Sequence, residues 1–266
     1  MKETRYYDKK NNRLVYIASK ASDDYWDSHW EAEDFNKMIK VNYNPFISNN
    51  TKKYLSKGSK ILEGGCGRGQ NVYLLQKQGF DVTGIDYAKK TVDKINTYIP
   101  ELDIKLGDVR KLPFDANHFD GYWSLGVIEH FYKGYDDIMV EMRRVLKPSG
   151  ILLMTVPTMS PLRKFKAKFS FYPIWKDEQE KIEQFYQFAL DPVAIIKNYE
   201  SNGFKLLAKK PYDGFKGLKD EISFIKTPLQ YIYDSNFILS KIIRKIIGIL
   251  TERFSSHMTL FIFKKI

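Results

Sequence analysis

The sequence has a single cysteine and fewer acidic than basic residues. Both features limit the class of protein to which it can belong. A single cysteine, Cys66, excludes an internal disulfide framework and favours a reducing compartment. The first ten residues are polar and charged and lack the apolar run of a secretory signal. Internal repeats and low-complexity runs are also lacking. A cytoplasmic globular protein is therefore expected.

The shortage of acids is concentrated in the second half of the chain. The chain carries 43 basic and 32 acidic residues, a net charge of +11. Residues 1–150 have a net charge of +3 and residues 151–266 a net charge of +8. Such a basic half can meet an anionic surface, either nucleic acid or membrane, or can be a solvated lysine-rich face.

A glycine-rich loop follows a short apolar strand and is the most informative segment. It reads Glu63-Gly64-Gly65-Cys66-Gly67-Arg68-Gly69 and leads into a predicted helix over 71–78. Glycine lets the backbone turn sharply and come close to a ligand, and the first N–H groups of the helix point toward the loop. The loop lacks the wider gap of a dinucleotide fingerprint and the lysine of a phosphate loop. Its carboxylate, Glu63, instead suits a cationic ligand. The alternative interpretation of the loop is a tight strand-to-helix turn that binds no ligand.

Further predicted strands each end in polar residues. A second strand covers 81–86 and ends at Asp86, about 20 residues past the loop, where a βαβ unit places a carboxylate near ribose hydroxyls. A third, over 103–106, precedes Gly107-Asp108-Val109, and a fourth, over 119–125, precedes Glu129 and His130. A fifth covers 150–156. We expect these ends to share one sheet edge, although Asp86 and Asp108 could instead cap helices.

Five segments in this order resemble the class I S-adenosylmethionine-dependent methyltransferases. They read ILEGGCGRG, GIDYA, GDVRKLPF, FDGYWSLGVIEHF and EMRRVLKPSGILLMTVP. The resemblance is close over 54–157. Within the family, the chain is most similar to the small-molecule, type 11-like branch. It implies an α/β, Rossmann-like, doubly wound fold with a seven-stranded, mostly parallel sheet. The last strand of that sheet would be antiparallel, and helical additions would surround it.

The resemblance also implies a set of residues that bind S-adenosyl-L-methionine. Glu63 and the loop glycines would line its methionine part, Asp86 its ribose and Tyr87 its adenine. Asp108 and Val109 would hold the adenine edge, and Ser124 and Leu125 would lie under the sulfonium. Gly64 departs from the family's usual small or apolar residue, which implies a looser turn. The full predicted set is Glu63, Gly64, Gly65, Cys66, Gly67, Gly69, Asp86, Tyr87, Asp108, Val109, Ser124 and Leu125.

His130 is the predicted catalytic residue. The sulfonium methyl is electrophilic by itself, so the protein mainly has to position the acceptor, and a base is needed only for a protonated acceptor atom. An imidazole suits that task because its ordinary pKa lies near neutral. Glu129 and His130 could instead pair at a helix start. Two adjacent ligands do not make a metal site, and no metal is predicted.

Three additions surround the predicted methyltransferase domain, which is assigned to 58–266. Residues 1–57 are predicted to form a helical lid over the cofactor pocket, with a helix over 32–40. An insertion at about 158–188 is expected on the acceptor side. A second insertion, at about 212–256, separates two strands that should form an antiparallel hairpin.

A helix predicted over 236–253 dominates the second insertion. Six apolar residues recur at i, i+3 and i+4, namely Leu239, Ile242, Ile243, Ile246, Ile247 and Leu250. The helix is too short and too charged for a transmembrane span. We expect the stripe to pack against its own domain. The alternatives are a lid over a lipid-like acceptor and a peripheral membrane contact.

The predicted function is methyl transfer to an oxygen or nitrogen of a small-molecule or lipid-like acceptor. An RNA methyltransferase is the first alternative, because the chain is basic and aromatic. It lacks a recognisable RNA-binding module and has Ser124-Leu125-Gly126-Val127 where an N/D-P-P-[YF] motif would stand, which disfavours nucleic acid. A non-catalytic S-adenosylmethionine-binding protein is the second alternative. The sequence leaves the acceptor and the oligomeric state open.

Overall fold

A seven-stranded mixed sheet forms the centre of the computed structural model, which describes residues 3–18, 20–31 and 44–266. Its strands are β3 (Lys60–Gly64), β4 (Asp81–Asp86), β5 (Asp103–Leu106), β6 (Phe119–Leu125), β7 (Leu146–Pro157), β9 (Phe204–Tyr212) and β10 (Met258–Lys265). Their order in the sheet is β5-β4-β3-β6-β7-β10-β9, and β10 runs antiparallel to both of its neighbours. This order confirms the predicted fold.

Helices follow the strands and cover both faces of the sheet. Buried apolar side chains form one cluster on each face, as a doubly wound sheet requires. The helices that follow strands are α3 (Gln70–Lys77), α4 (Lys89–Tyr98), α5 (Asp136–Val145), α6 (Pro161–Lys168), α7 (Gln179–Glu183) and α8 (Pro192–Ser201), with a short 3₁₀ turn over Ile128–His130. α2 (Pro45–Tyr54) precedes the sheet.

A second, three-stranded sheet joins the N-terminal segment to the first insertion. β1 (Thr4–Asp8) and β2 (Arg13–Ile17) form an antiparallel hairpin, and β2 also pairs with β8 (Phe185–Ala189). The prediction of a helical segment over 1–57 is therefore wrong for its first part. Only α1 (Asp23–Glu31) and α2 are helical there among the described residues. The helix predicted over 32–40 lies outside the described residues.

Four helical segments fill the connection between β9 and β10. They are α9 (Gly214–Glu221), a 3₁₀ turn over Ser223–Ile225, α10 (Lys226–Asp234) and α11 (Ile238–Ser255). The hairpin of β9 and β10 agrees with the sequence prediction. Among the described residues, no helix is both long and apolar enough to cross a membrane.

The expected burial of the α11 stripe is wrong for most of its residues. Ile243 and Ile247 are half-buried, whereas Leu239, Ile242, Ile246 and Leu250 are exposed. The cause is close backbone packing, because an added Cβ on Gly214 would come within 2.6 Å of both the Gly248 carbonyl oxygen and the Glu252 nitrogen. The face of α11 that carries small residues lies against α9, so the face with large apolar residues turns outward.

This packing predicts opposite effects for two glycine-to-alanine substitutions. A Cβ on Gly217 would lie 1.6 Å from the Ser255 carbonyl oxygen, so Gly217→Ala should force α9 and α11 apart. We expect it to lower the free energy of unfolding by about 1–3 kcal/mol. A Cβ on Gly248 meets nothing closer than 3.8 Å, so Gly248→Ala should stabilise the helix by about 1 kcal/mol. Urea denaturation of both variants measures the difference, and equal destabilisation would contradict this packing.

Candidate active site

The register of the central strands brings most predicted site residues to one edge of the sheet. Gly64 at the end of β3 pairs with Ile85 on one side and with Ser124 on the other. Asp86, the next residue of β4, pairs with Leu106 of β5. The order of the strands reverses between β3 and β6, and open α/β sheets bind ligands at such a switch point.

The glycine-rich loop folds back over this edge in a conformation that depends on glycine. Gly65, Gly67 and Gly69 have φ angles of 72°, 52° and 69°, in the left-handed region that other residues seldom adopt. The Gly65 and Cys66 amides both donate to the Ile85 carbonyl, at 2.8 and 3.1 Å. The loop therefore forms an open cradle of backbone that leads into α3.

Asp86 holds this loop in place. Its Oδ2 accepts a hydrogen bond of 2.8 Å from the Gly67 amide, and its Oδ1 accepts one of 2.9 Å from the Ala88 amide. The carboxyl is buried, and burial raises its pKa. Asp86 does not cap the following helix as the alternative expected, because the N-cap residue of α4 is Ala88, which makes no side-chain cap. A carboxylate can accept about four hydrogen bonds, so Asp86 can also accept one from a hydroxyl donor.

Two buried polar atoms at the paired strand ends have no hydrogen-bond partner among the described residues. They are Glu63 Oε2 and Ser124 Oγ. The other oxygen of Glu63 accepts a bond of 2.8 Å from the Asn71 side chain. Burial raises the pKa of Glu63 to about 8. Because buried polar groups normally have partners, these atoms fit a ligand that brings its own polar groups.

Packing explains the glycine at position 64 better than the looser turn expected from the sequence. Gly64 is the last residue of β3, and a Cβ there would lie 2.0 Å from the Tyr122 hydroxyl. Tyr122 is fully buried. Cys66 is buried as well and belongs to the apolar cluster on the α3 side of the sheet. Both residues shape the loop through their size.

The predicted adenine-side residues differ in how well they are positioned. Val109 is buried, and Leu125 is half-buried at the end of β6. Tyr87 is partly exposed, and its hydroxyl lies 3.4 Å from the Ala21 carbonyl oxygen. Asp108 is followed by a turn rather than a helix, and it accepts a salt bridge from Arg110, which lowers the pKa of Asp108. A ligand would have to compete with Arg110 for this carboxylate.

His130 and Glu129 lie next to each other but have separate surroundings. His130 Nδ1 lies 2.8 Å from the Tyr186 carbonyl oxygen, which can only accept, so Nδ1 carries the proton and Nε2 is the basic nitrogen. Burial lowers the pKa of His130 to about 4. Glu129 is buried with Oε2 unpartnered among the described residues, and burial raises its pKa to about 8.

Aromatic residues of α1 cover both the loop and His130. The Trp26 ring lies edge-on to the His130 ring, with 5.1 Å between the centroids, and stacks on Trp30. A Cβ on Gly67 would lie 2.8 Å from the Trp30 ring. Asp27 fixes the helix, because its Oδ1 accepts bonds from the backbone amide and the hydroxyl of Thr91 at the start of α4. The sequence analysis did not single out Asp27, Asn71 or Tyr186.

Solved structures with this architecture show the class of fold. A methyltransferase from Methanosarcina mazei matches with a TM-score of 0.56 and 16% identity over 85% of this chain and 99% of that chain. A geranyl diphosphate C-methyltransferase from Streptomyces coelicolor matches with a TM-score of 0.55 and 11% identity over 93% of this chain and all of that chain. The fold is that of the class I methyltransferases.

Sequence comparisons identify a methyltransferase domain within the chain. Residues 62–154 match the methyltransferase domain family. The chain is 34% identical over 109 residues to a Mycolicibacterium smegmatis protein named as a probable S-adenosylmethionine-dependent methyltransferase, covering 40% of this chain and 42% of that one. It is also 34% identical over 123 residues to demethylmenaquinone methyltransferase of Staphylococcus aureus, covering 44% and 50%. The chain thus spans about half the length of these relatives.

Residues 62–154 form a methyltransferase domain, and for this domain the predicted S-adenosylmethionine-dependent class is confirmed. S-adenosylmethionine is the cofactor of this domain, as predicted.

Proposed function

We propose that this protein transfers the methyl group of S-adenosylmethionine to an oxygen or nitrogen of a small-molecule or lipid-like acceptor. The observation that carries the proposal is the Gly67–Asp86 hydrogen bond, which joins the glycine loop to the acid of β4 at the switch point. The domain family supports it as well. When bound, the cofactor supplies an electrophilic methyl group, and the protein holds the two reactants in line.

The residues of the site have distinct proposed roles. Glu63 and Ser124 hold the polar groups of the methionine part, because their buried oxygens need partners. Asp86 accepts from the ribose hydroxyls with its remaining lone pairs. Gly65, Gly67 and Gly69 let the backbone approach the cofactor, with Gly64 and Cys66 packed beneath them. Tyr87, Asp108, Val109 and Leu125 surround the adenine and the sulfonium. Helix α1 acts as the lid that excludes water.

His130 is the proposed base of the reaction. Its Nδ1 is fixed by the Tyr186 carbonyl, so Nε2 is held in one orientation by β8, which belongs to the acceptor-side insertion. Trp26 packs against the ring and shields it from solvent. The pKa of about 4 keeps the imidazole neutral at pH 7, so its Nε2 lone pair is available to an acceptor hydroxyl or amine. It also makes His130 a weaker base than the ordinary, near-neutral histidine on which the sequence prediction rested.

Methyl transfer to a panel of hydroxylated and amino acceptors, read by mass spectrometry, tests this function. With a productive acceptor, His130→Ala should lower kcat about 100-fold and leave cofactor affinity unchanged. The wild-type rate should stay level as the pH falls from 7 to 5, because a histidine with a pKa of about 4 keeps its basic form there. A fall in rate centred near pH 6.5, or an equal loss of cofactor binding in the variant, would contradict the proposed role. Methylation at carbon only would contradict the proposed acceptor atom.

A further inference from the structure

Helix α11 presents its large apolar side chains to solvent. Six of them lie on one side of the helix and are exposed, namely Ile238, Leu239, Ile242, Ile246, Ile249 and Leu250. Leu250 is 78% exposed and Ile238 is 76% exposed. Successive members are separated by one, three or four residues, so they form a continuous strip. We call this strip, with the basic residues described next, the α11 surface.

Basic side chains border the apolar strip. Lys241, Lys245 and Arg253 are exposed, and the helix carries four basic residues and one acidic residue in all. The acid, Glu252, is half-buried, and burial raises its pKa. Lysine side chains can extend from the edge of an apolar strip toward anionic groups while their methylene stems stay in contact with it. The strip is therefore complementary to a surface that is apolar beneath and anionic above.

Segments next to α11 in the chain or packed against it also expose aromatic residues. Phe237, just before α11, is 77% exposed, and Phe224 in the preceding 3₁₀ turn is 86% exposed. Helix α6 packs against α11 and exposes Phe165 and Phe169 beside a run of lysines. Exposed aromatic and aliphatic residues with interspersed lysines are the composition of helices that lie in the headgroup region of a bilayer.

The fold keeps this orientation of α11 fixed. The opposite side of the helix packs against α9 at the backbone separations that the glycines allow, so the helix cannot rotate to bury the strip. The end of α11 leads into β10, whose first residue, Met258, pairs with Pro157 at the end of β7. The C-terminal end of α11 therefore lies at the sheet edge that carries the candidate active site.

We propose that the α11 surface docks this protein on the surface of an anionic lipid bilayer. The apolar strip enters the boundary between headgroups and acyl chains, and Lys241, Lys245 and Arg253 contact the anionic headgroups. The docking goes beyond methyl transfer and does not depend on it. It also places the acceptor side of the domain next to the membrane, where a lipid-like acceptor would be concentrated.

Sedimentation of the full chain with vesicles tests this proposal. Wild-type protein should sediment with phosphatidylcholine vesicles that contain about one-third phosphatidylglycerol, and much less with pure phosphatidylcholine. Raising the salt from about 0.1 to 0.5 M should weaken the binding because it screens the charges. The pair Lys241→Gln and Lys245→Gln should weaken it roughly tenfold or more, and the pair Ile242→Gln and Ile246→Gln should weaken it at least as much.

Matched variants elsewhere on the surface provide the controls. Val140→Gln with Val193→Gln changes two exposed apolar residues, and Lys197→Gln with Lys205→Gln changes two exposed lysines. Both should bind vesicles like the wild type. All variants should keep the wild-type melting temperature and affinity for S-adenosylhomocysteine, so a failure of docking is distinguishable from a failure of the proposed activity. No sedimentation of the wild type would overturn the proposal. A wild-type dimer that the isoleucine variant converts to a monomer, without vesicle binding, would assign the strip to a second copy and overturn it too.

Discussion

Replacement of Glu221 by alanine should destabilise this protein by about 3–5 kcal/mol, because it removes the carboxylate that the fully buried Arg163 shares with the half-buried Arg5. Glu221 Oε1 accepts bonds from Arg5 at 2.8 Å and from Arg163 at 2.9 Å. Its Oε2 accepts from Lys166 at 2.8 Å and from the Tyr172 hydroxyl. Arg163 is fully buried, so the substitution leaves a positive charge inside the protein without its counter-charge.

The cluster around Glu221 connects the three additions with one another. Arg5 lies on β1, Arg163 and Lys166 lie on α6, and Glu221 ends α9. The melting temperature of Glu221→Ala should therefore fall far more than that of a variant that breaks an exposed ion pair. Asp93→Ala is the matched control, since it breaks the exposed Lys89–Asp93 pair and should cost about 0–1 kcal/mol. Equal melting temperatures for the two variants would contradict the structural role of Glu221.

The same carboxylate gives the protein an acid-sensitive stability. Burial alone would raise the pKa of Glu221, but the charges of Arg163, Arg5 and Lys166 outweigh burial and lower it to about 2. A group with a depressed pKa stabilises the fold above its unfolded pKa of about 4.5 and loses that contribution as the pH falls toward 2. Glu221→Gln should flatten this part of the stability profile, and an unchanged slope would contradict the assignment.

Replacement of Asp86 by alanine should have the largest effect on cofactor binding. The carboxylate binds the Gly67 and Ala88 amides and is the proposed acceptor for the ribose hydroxyls, so the change loosens the loop and removes the contact. We expect the Kd for S-adenosylhomocysteine to rise by about 10- to 100-fold or more, from a loss of about 1–3 kcal/mol. Calorimetric titration measures it.

Two further variants test whether the effect is specific to the Asp86 carboxylate. Asp86→Asn keeps one acceptor oxygen and should fall between the wild type and the alanine variant. Asp103→Ala changes an exposed acid at the start of the neighbouring strand β5, whose partner is the Thr83 hydroxyl, and should leave the affinity unchanged. Wild-type affinity in Asp86→Ala would remove Asp86 from the site.

The central sheet and its loop were predictable because their signals are local. The glycine spacing, the apolar run before Glu63 and the acid that ends β4 each lie within one βαβ unit. The pairing of β2 with β8 was not predictable in this way, since it joins Leu14 to Ala189, far apart in the chain. The sequence pattern over 4–17 does not indicate which strand β2 pairs with.

The orientation of α11 shows a different limit of sequence reasoning. The i, i+3, i+4 spacing correctly predicts an amphipathic helix, but periodicity does not say which face is buried. The informative residues were Gly214 and Gly217 on α9, which allow its backbone to meet that of α11 near Gly248 and Ser255. Likewise, the pattern identified His130, whereas the burial that lowers its pKa to about 4 depends on α1 and β8.

Calorimetric titration of the wild-type protein with S-adenosylhomocysteine is the most direct test of the central claim, that the loop over Glu63–Gly69 and Asp86 bind the cofactor of this domain. We predict saturable binding at one site per chain, and S-adenosylmethionine should compete for that site. Absence of binding by either compound at millimolar concentration, from protein that remains folded, would contradict the claim.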